Sequence, residues 1–126
     1  MKTDLKIDFQ LLDTSIPPNE ITKITGIIPD TELVQGERNK ALNLPRQNIW
    51  SIESQADSDD IDDHWKNLKE IIQGSKDSLR EIAKTGMAKF TIVINSNQRI
   101  PPISIPPAMS EFAGFINAVI DIDHLQ

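Results

Sequence analysis

The stretch that decides the fold is Glu53-Ser-Gln-Ala-Asp-Ser-Asp-Asp-Ile-Asp-Asp-His-Trp-Lys-Asn-Leu-Lys-Glu-Ile-Ile72, an acidic run that leads into a helix pattern. Its second half places apolar residues four, three and four positions apart, at Ile61, Trp65, Leu68 and Ile72. Side chains at this spacing share one face of an α-helix. The stretch therefore predicts an amphipathic helix that begins at Ile61 and packs its apolar face against a core.

The two ends of this helical region carry further signals. Asp60 is a candidate N-cap with Asp63 three residues later, and carboxylates there favour the positive end of the helix dipole. Gly74-Ser75 interrupts the apolar pattern, which Leu79 and Ile82 then continue. We expect one long helical region with a kink or a restart near Gly74.

Strand patterns lie on both sides of the helix. Three segments alternate apolar and polar residues, namely residues 5–13, 48–53 and 90–94. Alternation at a period of two places the apolar side chains on one side of a β-strand. In the second segment Trp50 and Ile52 lie on one side. We expect three strands that pack against the helix, with the chain's two tryptophans buried in the core.

Proline pairs open two shorter helices. Pro17-Pro18 precedes a helix at residues 19–25, and Pro106-Pro107 precedes a helix that carries Met109 and Phe112. Proline suits the first helical turn, where its missing N–H loses no hydrogen bond. Gly26 follows the first of these helices and is a natural end, because glycine accepts a left-handed backbone.

Three extended segments complete the pattern. They are residues 32–35, residues 100–105 and residues 118–123. The prolines of the second suit an edge of a sheet. The third is a closing strand, in which Ile120 and Ile122 are expected to point inward.

These elements predict an α+β fold. At 126 residues the chain has the size of one domain, so we expect a single globular domain over residues 1–126. The predicted architecture is a mixed, largely antiparallel sheet of about five strands, with two to three helices packed mainly on one face.

The net charge of the chain is concentrated in residues 53–63. This run has six acidic residues and no basic one, while the remaining 13 Asp and Glu balance the 13 Lys and Arg. The whole chain therefore has a formal charge of −6. Nucleic-acid phosphates repel an acidic protein, so we expect no DNA or RNA binding.

Composition also limits the compartment and the chemistry. Cysteine is absent, which excludes disulfides and thiolate chemistry. The charged N-terminal residues do not resemble a signal peptide, and no apolar run approaches the roughly 20 residues that span a bilayer. We expect a cytoplasmic protein that does not bind membranes.

The acidic run does not have the spacing of a calcium loop. Counted from Asp57, position five is Ile61, where an EF-hand needs an oxygen ligand. Asp60 and His64 would share a helix face, but no third ligand follows at a metal-site spacing, and such a histidine is expected to lie exposed beside a carboxylate. We predict no metal and no cofactor. A metal-dependent regulator that uses Asp60, Asp63 and His64 remains an alternative.

Catalytic motifs are absent from the sequence. There is no Gly-x-Ser-x-Gly turn, and the five glycines form no phosphate-cradling run. We therefore expect no enzyme activity and assign no catalytic residue.

Four short motifs are similar to those of a known family. They are Ile24-Thr-Gly-Ile-Ile-Pro-Asp30, Gly36-Glu37, Trp50-Ser-Ile-Glu-Ser54 and Ile120-Asp-Ile-Asp123. With them the chain resembles, over nearly its whole length, the uncharacterised bacterial family called domain of unknown function 4279. The resemblance implies an early strand, a helix, a further strand, a long helix, a strand and a final helix. It implies no catalytic residues.

The surplus of acid is the basis for a functional hypothesis. Focused negative charge attracts a basic partner and speeds its association. We expect a non-enzymatic protein-binding domain, and in its most concrete form a cytosolic immunity or inhibitor protein that neutralises a basic, nuclease-type toxin. The residues expected to bind the partner are Glu53, Asp57, Asp59, Asp60, Asp62 and Asp63. The alternative is a regulatory domain that binds a metal or a small ligand.

Overall fold

A computed structural model describes residues 4–96 and 102–125. Within these ranges the chain forms five strands, four α-helices and one turn of 3₁₀ helix. In chain order they are β1 (Asp4–Leu12), α1 (Pro18–Thr25), β2 (Thr31–Leu33), β3 (Ile49–Glu53), α2 (Ile61–Ile72), the 3₁₀ turn (Gln73–Ser75), α3 (Lys76–Ala83), β4 (Met87–Asn95), α4 (Pro107–Ile116) and β5 (Val119–Leu125).

The strands form one sheet in the order β2-β3-β1-β4-β5. The central strand β1 lies antiparallel to β3 and β4, and β2 lies antiparallel to β3, whereas β5 runs parallel to β4. The register places Phe9 of β1 between Ile52 of β3 and Phe90 of β4. The prediction of a mixed, largely antiparallel sheet of about five strands is confirmed.

One face of the sheet is apolar and is covered by the helices. Because successive side chains of a strand point to opposite faces, alternate positions supply this surface. Its buried members are Ile7, Phe9, Leu11, Trp50, Ile52, Ala88, Phe90, Ile92 and Ile94. The buried residues of all four α-helices belong to the same core cluster. We call this side the helix-covered face, and it confirms the predicted α+β arrangement.

Both tryptophans are core residues, as predicted. Trp50 lies edge-on to Phe9 with ring centroids 6.4 Å apart, and Trp65 of α2 lies edge-on to Phe90 at 5.9 Å. The rings of Phe9 and Phe90 are 4.8 Å apart across β1 and β4. The indole N–H of Trp50 donates to Thr22 Oγ1 at 3.1 Å. These ring contacts stabilise the core beyond the burial of apolar area.

The helical residues form three units, in agreement with the prediction. α2, the 3₁₀ turn and α3 follow one another without a break, so the expected kink near Gly74 is the 3₁₀ turn itself. The other two units, α1 and α4, have Pro17 and Pro106 as N-caps, as the proline pairs indicated. α1 ends at Gly26 with a φ of 71°, and α4 ends at Asn117 with a φ of 60°.

The opposite side of the sheet carries polar positions of the same strands. β1 contributes Lys6, Asp8 and Gln10, while β4 and β5 contribute Lys89 and Asp121, whose Nζ and Oδ2 atoms lie 3.4 Å apart. We call this side the uncovered face, because the helices of the described residues pack on the other side.

One prediction at the sheet edges is wrong, and another holds only in part. Of the segment expected to form an edge strand, residues 100 and 101 lie outside the described residues, and residues 102–105 belong to no strand. The edges are β2 and β5 instead. Ile122 of β5 lies on the helix-covered side beside Ile92, as expected, but it is 49% exposed. A strand with one neighbour cannot bury its side chains as a central strand does.

A close backbone approach joins the end of β1 to the start of β4. A Cβ atom on Gly86 would lie 2.5 Å from the carbonyl oxygen of Leu12 and 2.8 Å from the Cα of Thr14. These are backbone atoms that no rotamer change can move, so the position requires glycine. Glycine therefore lets the chain that enters β4 pass close to the chain that leaves β1.

Candidate functional site

The acidic segment, residues 53–63, connects the last residue of β3 to the first turn of α2. Its carboxylates differ in exposure. Asp57, Asp59, Asp60 and Asp63 are exposed, whereas Glu53 and Asp62 are half-buried. The segment therefore presents several charged groups on one short stretch of chain.

The inner side of the segment is held by a buried chain of hydrogen bonds. His64, in the first turn of α2, is 1% exposed. Its Nε2 lies 2.8 Å from the carbonyl oxygen of Ser58, and its Nδ1 lies 2.7 Å from Ser54 Oγ. A carbonyl only accepts, so Nε2 carries the proton and Nδ1 accepts from the Ser54 hydroxyl. Ser54 Oγ in turn accepts from the backbone N–H of Ile7 at 2.9 Å.

This network links three parts of the fold. Ile7 belongs to β1, Ser54 follows β3 directly, and His64 belongs to α2. When the His64 ring is neutral and carries its proton on Nε2, the three hydrogen bonds from the Ile7 N–H to the Ser58 carbonyl each join one donor to one acceptor. A satisfied buried network of this type fixes one backbone arrangement, because any other leaves a buried polar group unpaired.

The position of His64 corrects an expectation from the sequence. The histidine was expected to lie exposed beside a carboxylate, and this is wrong. It lies three residues after Ile61 and four before Leu68, which places it on the flank of the buried stripe of α2. That spacing was visible in the sequence and is the signal that could have identified it.

Further bonds fix the outer side of the segment. The backbone N–H of Gln55 donates to Asn67 Oδ1 at 2.6 Å. The Ser58 hydroxyl donates to Asp63 Oδ2 at 2.6 Å and accepts from the backbone N–H of Asp60 at 3.0 Å. The predicted N-cap is confirmed, since Asp60 Oδ1 accepts from the backbone N–H of Asp62 at 3.0 Å.

Asp62 and Glu53, both predicted to bind a partner, form ion pairs with lysines among the described residues. Asp62 Oδ2 lies 2.9 Å from Lys66 Nζ one turn later in α2, and this contact raises the pKa of the exposed Lys66. Glu53 Oε1 lies 2.9 Å from Lys6 Nζ. Because Glu53 pairs with Asp8 in the sheet register, it belongs to the uncovered face, apart from the helix entrance. The structure thus groups the five aspartates at the entrance of α2 and separates Glu53 from them.

The three residues of the metal alternative are engaged in other bonds. Asp60 caps α2, Asp63 accepts from Ser58, and both ring nitrogens of His64 have protein partners. Within residues 4–96 and 102–125, no group of three or more His, Asp or Glu side chains is placed to hold a metal ion.

A carboxyl group that sequence reasoning missed lies on the uncovered face. Burial, followed by repulsion from Glu53, raises the pKa of Asp8. Gln10 Nε2 donates to Asp8 Oδ2 at 3.0 Å, while Oδ1 is buried and has no hydrogen-bond partner in the described part of the chain. Asp8 lines a trough of about 470 Å³ together with Lys6 and Asp123. The period-two pattern marked Asp8 as polar, but its surroundings depend on which strands pair with β1.

A second concavity lies between α2 and α4. It is a groove of about 280 Å³, lined by Trp65, Phe112 and Phe115 with Lys69 and Lys76 at its sides. The indole N–H of Trp65 is buried and has no hydrogen-bond partner among the described residues. An aromatic floor beside cationic groups can accept a small apolar molecule that carries a hydrogen-bond acceptor.

Comparison with known proteins gives one match. The family model described as Domain of unknown function (DUF4279) matches residues 3–126. No curated protein and no solved structure matches the chain significantly. Among the described residues, no helix is both long enough and apolar enough to cross a membrane.

Proposed function

Because the chain belongs to the DUF4279 family, whose description assigns no activity, we propose from its surface chemistry that it is a non-enzymatic domain that binds a basic protein. The partner docks on the acidic segment. The contact residues are Asp57, Asp59, Asp60, Asp62 and Asp63, and Glu53 contributes to the field from the uncovered face.

The observation that carries the proposal is the combination of exposed charge and a fixed backbone. Four exposed aspartates lie on a segment whose inner side is bonded through Ser54, Ser58 and His64. A surface that is already ordered loses little conformational entropy when a partner binds. Concentrated negative charge also accelerates the encounter with a positive partner, and this acceleration falls as salt rises.

Local structure accounts for only part of the acidity. One carboxylate is enough to cap α2, and Asp60 does this. Asp62 is partly neutralised by Lys66, and Asp63 is engaged by a neutral hydroxyl that leaves its charge in place. The exposed charges of Asp59, Asp60 and Asp63 are therefore available for a partner of opposite sign.

In its most specific form, the proposal is that the domain is a cytoplasmic inhibitor or immunity protein. Nuclease-type toxins must be basic where they hold nucleic-acid phosphates. A rigid acidic surface can cover such a site by imitating the charge of the substrate.

The test removes the negative charges of the acidic segment but keeps the hydrogen bonds that its side chains accept. In a variant with Asp57, Asp59, Asp60 and Asp63 changed to Asn, the amide oxygens can still cap α2 and accept from Ser58. Wild type and variant serve as matched baits for affinity capture from the native host, with mass spectrometry of the bound proteins. Stopped-flow association with the captured protein is then measured at low and high salt.

A matched control removes the same number of charges elsewhere. Its changes are Glu37→Gln, Glu70→Gln, Asp77→Asn and Glu111→Gln, all at exposed positions. We expect association with the segment variant to slow by about tenfold or more and to lose most of its salt dependence, while the control keeps both. Equal behaviour of the two variants would contradict the proposal.

A regulatory domain for a small ligand is the second candidate. The groove beside Trp65 and Phe112 favours it, because an aromatic lining flanked by Lys69 and Lys76 suits a small acidic aromatic molecule. Screening acidic aromatic compounds by thermal shift, with Phe115→Ala as the control, tests this candidate.

The alternative of a metal-dependent regulator is tested by calorimetry with calcium, magnesium, manganese and zinc. The absence of binding heat with all four ions would eliminate it.

A further inference from the structure

Within residues 4–96 and 102–125, no strand pairs with the outer edge of β5. β5 has seven residues and is the last strand of the sheet, paired in parallel with β4 on its inner side. Every second residue of an edge strand directs its N–H and C=O groups away from the sheet. Such groups form a ready template for the backbone of another extended chain.

The two edges of the sheet are not equivalent. β2, at the other edge, has only three residues, and a short edge strand offers little to pair with. β5 is more than twice as long, contains no proline and no lysine, and exposes Val119, Ile122 and Leu125 by 46%, 49% and 44%. By the register, Ile122 lies on the helix-covered side, whereas Val119 and Leu125 lie on the uncovered face at the two ends of the Asp121 and Asp123 row.

The charges of β5 indicate what kind of chain can pair with its outer edge: a second copy of this protein or a segment of a different one. Asp121 and Asp123 are exposed on the uncovered face, where Lys89 lies beside Asp121 and Lys6 lines the same trough as Asp123. A second copy of this chain, added antiparallel about Ile122, would place its own aspartates opposite these two. Like charges directly opposite each other destabilise a strand pair, whereas opposite charges stabilise it.

We infer that the β5 edge is a second protein-binding site, which adds an extended segment of a different protein to the sheet. The complementary segment alternates Lys or Arg with apolar residues. Its basic side chains lie beside Asp121 and Asp123 on the uncovered face, and its apolar side chains lie beside Ile122 on the other. The site is independent of docking on the acidic segment, and either can fail without the other.

The probe is a capped seven-residue peptide of sequence Lys-Ile-Lys-Ile-Lys-Ile-Lys, added to the full chain. We expect saturable binding by calorimetry and slower amide hydrogen exchange at alternate residues of β5, with no change at the acidic segment. The same peptide with N-methyl groups on alternate amides keeps its charge but cannot pair, and we expect it not to bind. Equal binding by the methylated peptide, protection at residues 53–63 instead, or no binding at all would overturn the inference.

A charge exchange provides the matched variant. We expect the variant Asp121→Lys with Asp123→Lys to bind the basic peptide with an affinity that is lower by about tenfold or more. The same variant should bind the peptide Glu-Ile-Glu-Ile-Glu-Ile-Glu instead. The control, Glu37→Lys with Glu70→Lys, changes the net charge equally at exposed positions outside β5 and outside the acidic segment, and we expect it to bind the basic peptide as wild type does. Circular dichroism establishes that both variants fold. A wild-type dimer with protected β5 amides, seen by sedimentation, would overturn the inference because a second copy would then be the occupant.

Discussion

The helix-covered and uncovered faces of the sheet are built from the same strands and differ in what they do for the protein. On β1, Phe9 points into an aromatic core, while its neighbour Asp8 points to the other side and lies partly buried beside Glu53. Of these two adjacent residues, Phe9 stabilises the fold, whereas Asp8 lowers its stability at neutral pH. The pleat of β1 places residues that stabilise the fold on the helix-covered face and charged residues on the uncovered face. The following substitutions test this division.

The largest effect is expected from the helix-covered face. Phe9→Ala removes a ring that contacts both Trp50 and Phe90, and leaves a cavity that the packed sheet cannot close. We expect a loss of about 4 kcal/mol in the free energy of unfolding, measured by urea denaturation. The control is Lys89→Ala on the uncovered face, for which we expect a much smaller change. A similar loss in both variants would remove the distinction between the faces.

The next effect concerns the buried side of the acidic segment. His64→Ala leaves the Ser54 hydroxyl without its acceptor and the Ser58 carbonyl without its donor. Unsatisfied buried groups and a cavity together are expected to cost about 2–3 kcal/mol. Glu70→Ala, on the exposed side of the same helix, is the control. If His64→Ala were as mild as its control, the acidic segment would not be held by this network.

Asp8→Asn is expected to increase the stability of the protein, in contrast to the two substitutions above. The folded protein raises the pKa of Asp8 above its ordinary value of 3.8, so the folded state binds its proton more tightly than the unfolded chain. The stability that protonated Asp8 contributes is complete below that ordinary value and is lost as pH rises through the folded pKa. Near neutral pH we expect the variant to be more stable than wild type by about 0.5–1 kcal/mol.

The pH profile distinguishes this effect from a change in packing. The advantage of Asp8→Asn should shrink as pH is lowered from about 7 towards about 4, because wild-type Asp8 then takes up its proton. Asp4→Asn, on the same strand and exposed, should show no such trend. An advantage that stays constant with pH would contradict the role given to the charge.

The smallest effect is expected from Glu53→Gln. The variant loses the half-exposed ion pair with Lys6, which is worth at most about 0.5 kcal/mol. It also removes the repulsion that Glu53 exerts on Asp8, so the two contributions partly cancel. A double-mutant cycle with Asp8→Asn measures the coupling between the two carboxylates. A coupling of zero would show that burial alone raises the pKa of Asp8.

The sequence predicted what depends on local periodicity. The alternation around Ile7 and Phe9 identified β1, the spacing from Ile61 to Ile72 identified the buried face of α2, and Asp60 identified its start. Each of these signals lies within one element. The α+β fold and its mixed sheet follow from such signals, because an element must bury its apolar side.

The remaining features depend on which elements become neighbours. Nothing in the local pattern shows that β5 is an edge, so the exposure of Ile122 could not be foreseen. The surroundings of Asp8 likewise require the pairing of β1 with β3, and the bonds of His64 require Ser54 and Ser58 to lie beside α2. Sheet order is a long-range property, and so is any site that forms between neighbouring strands.

The hydrogen bond between Ile7 and Ser54 gives the molecule an internal reporter. The amide proton of Ile7 belongs to the central strand, yet its acceptor is a hydroxyl whose own proton is held by His64 at the acidic segment. Any partner that shifts the entrance of α2 must alter the polarisation of that hydroxyl. The chemical shift of this one buried amide therefore records events on a surface it never touches.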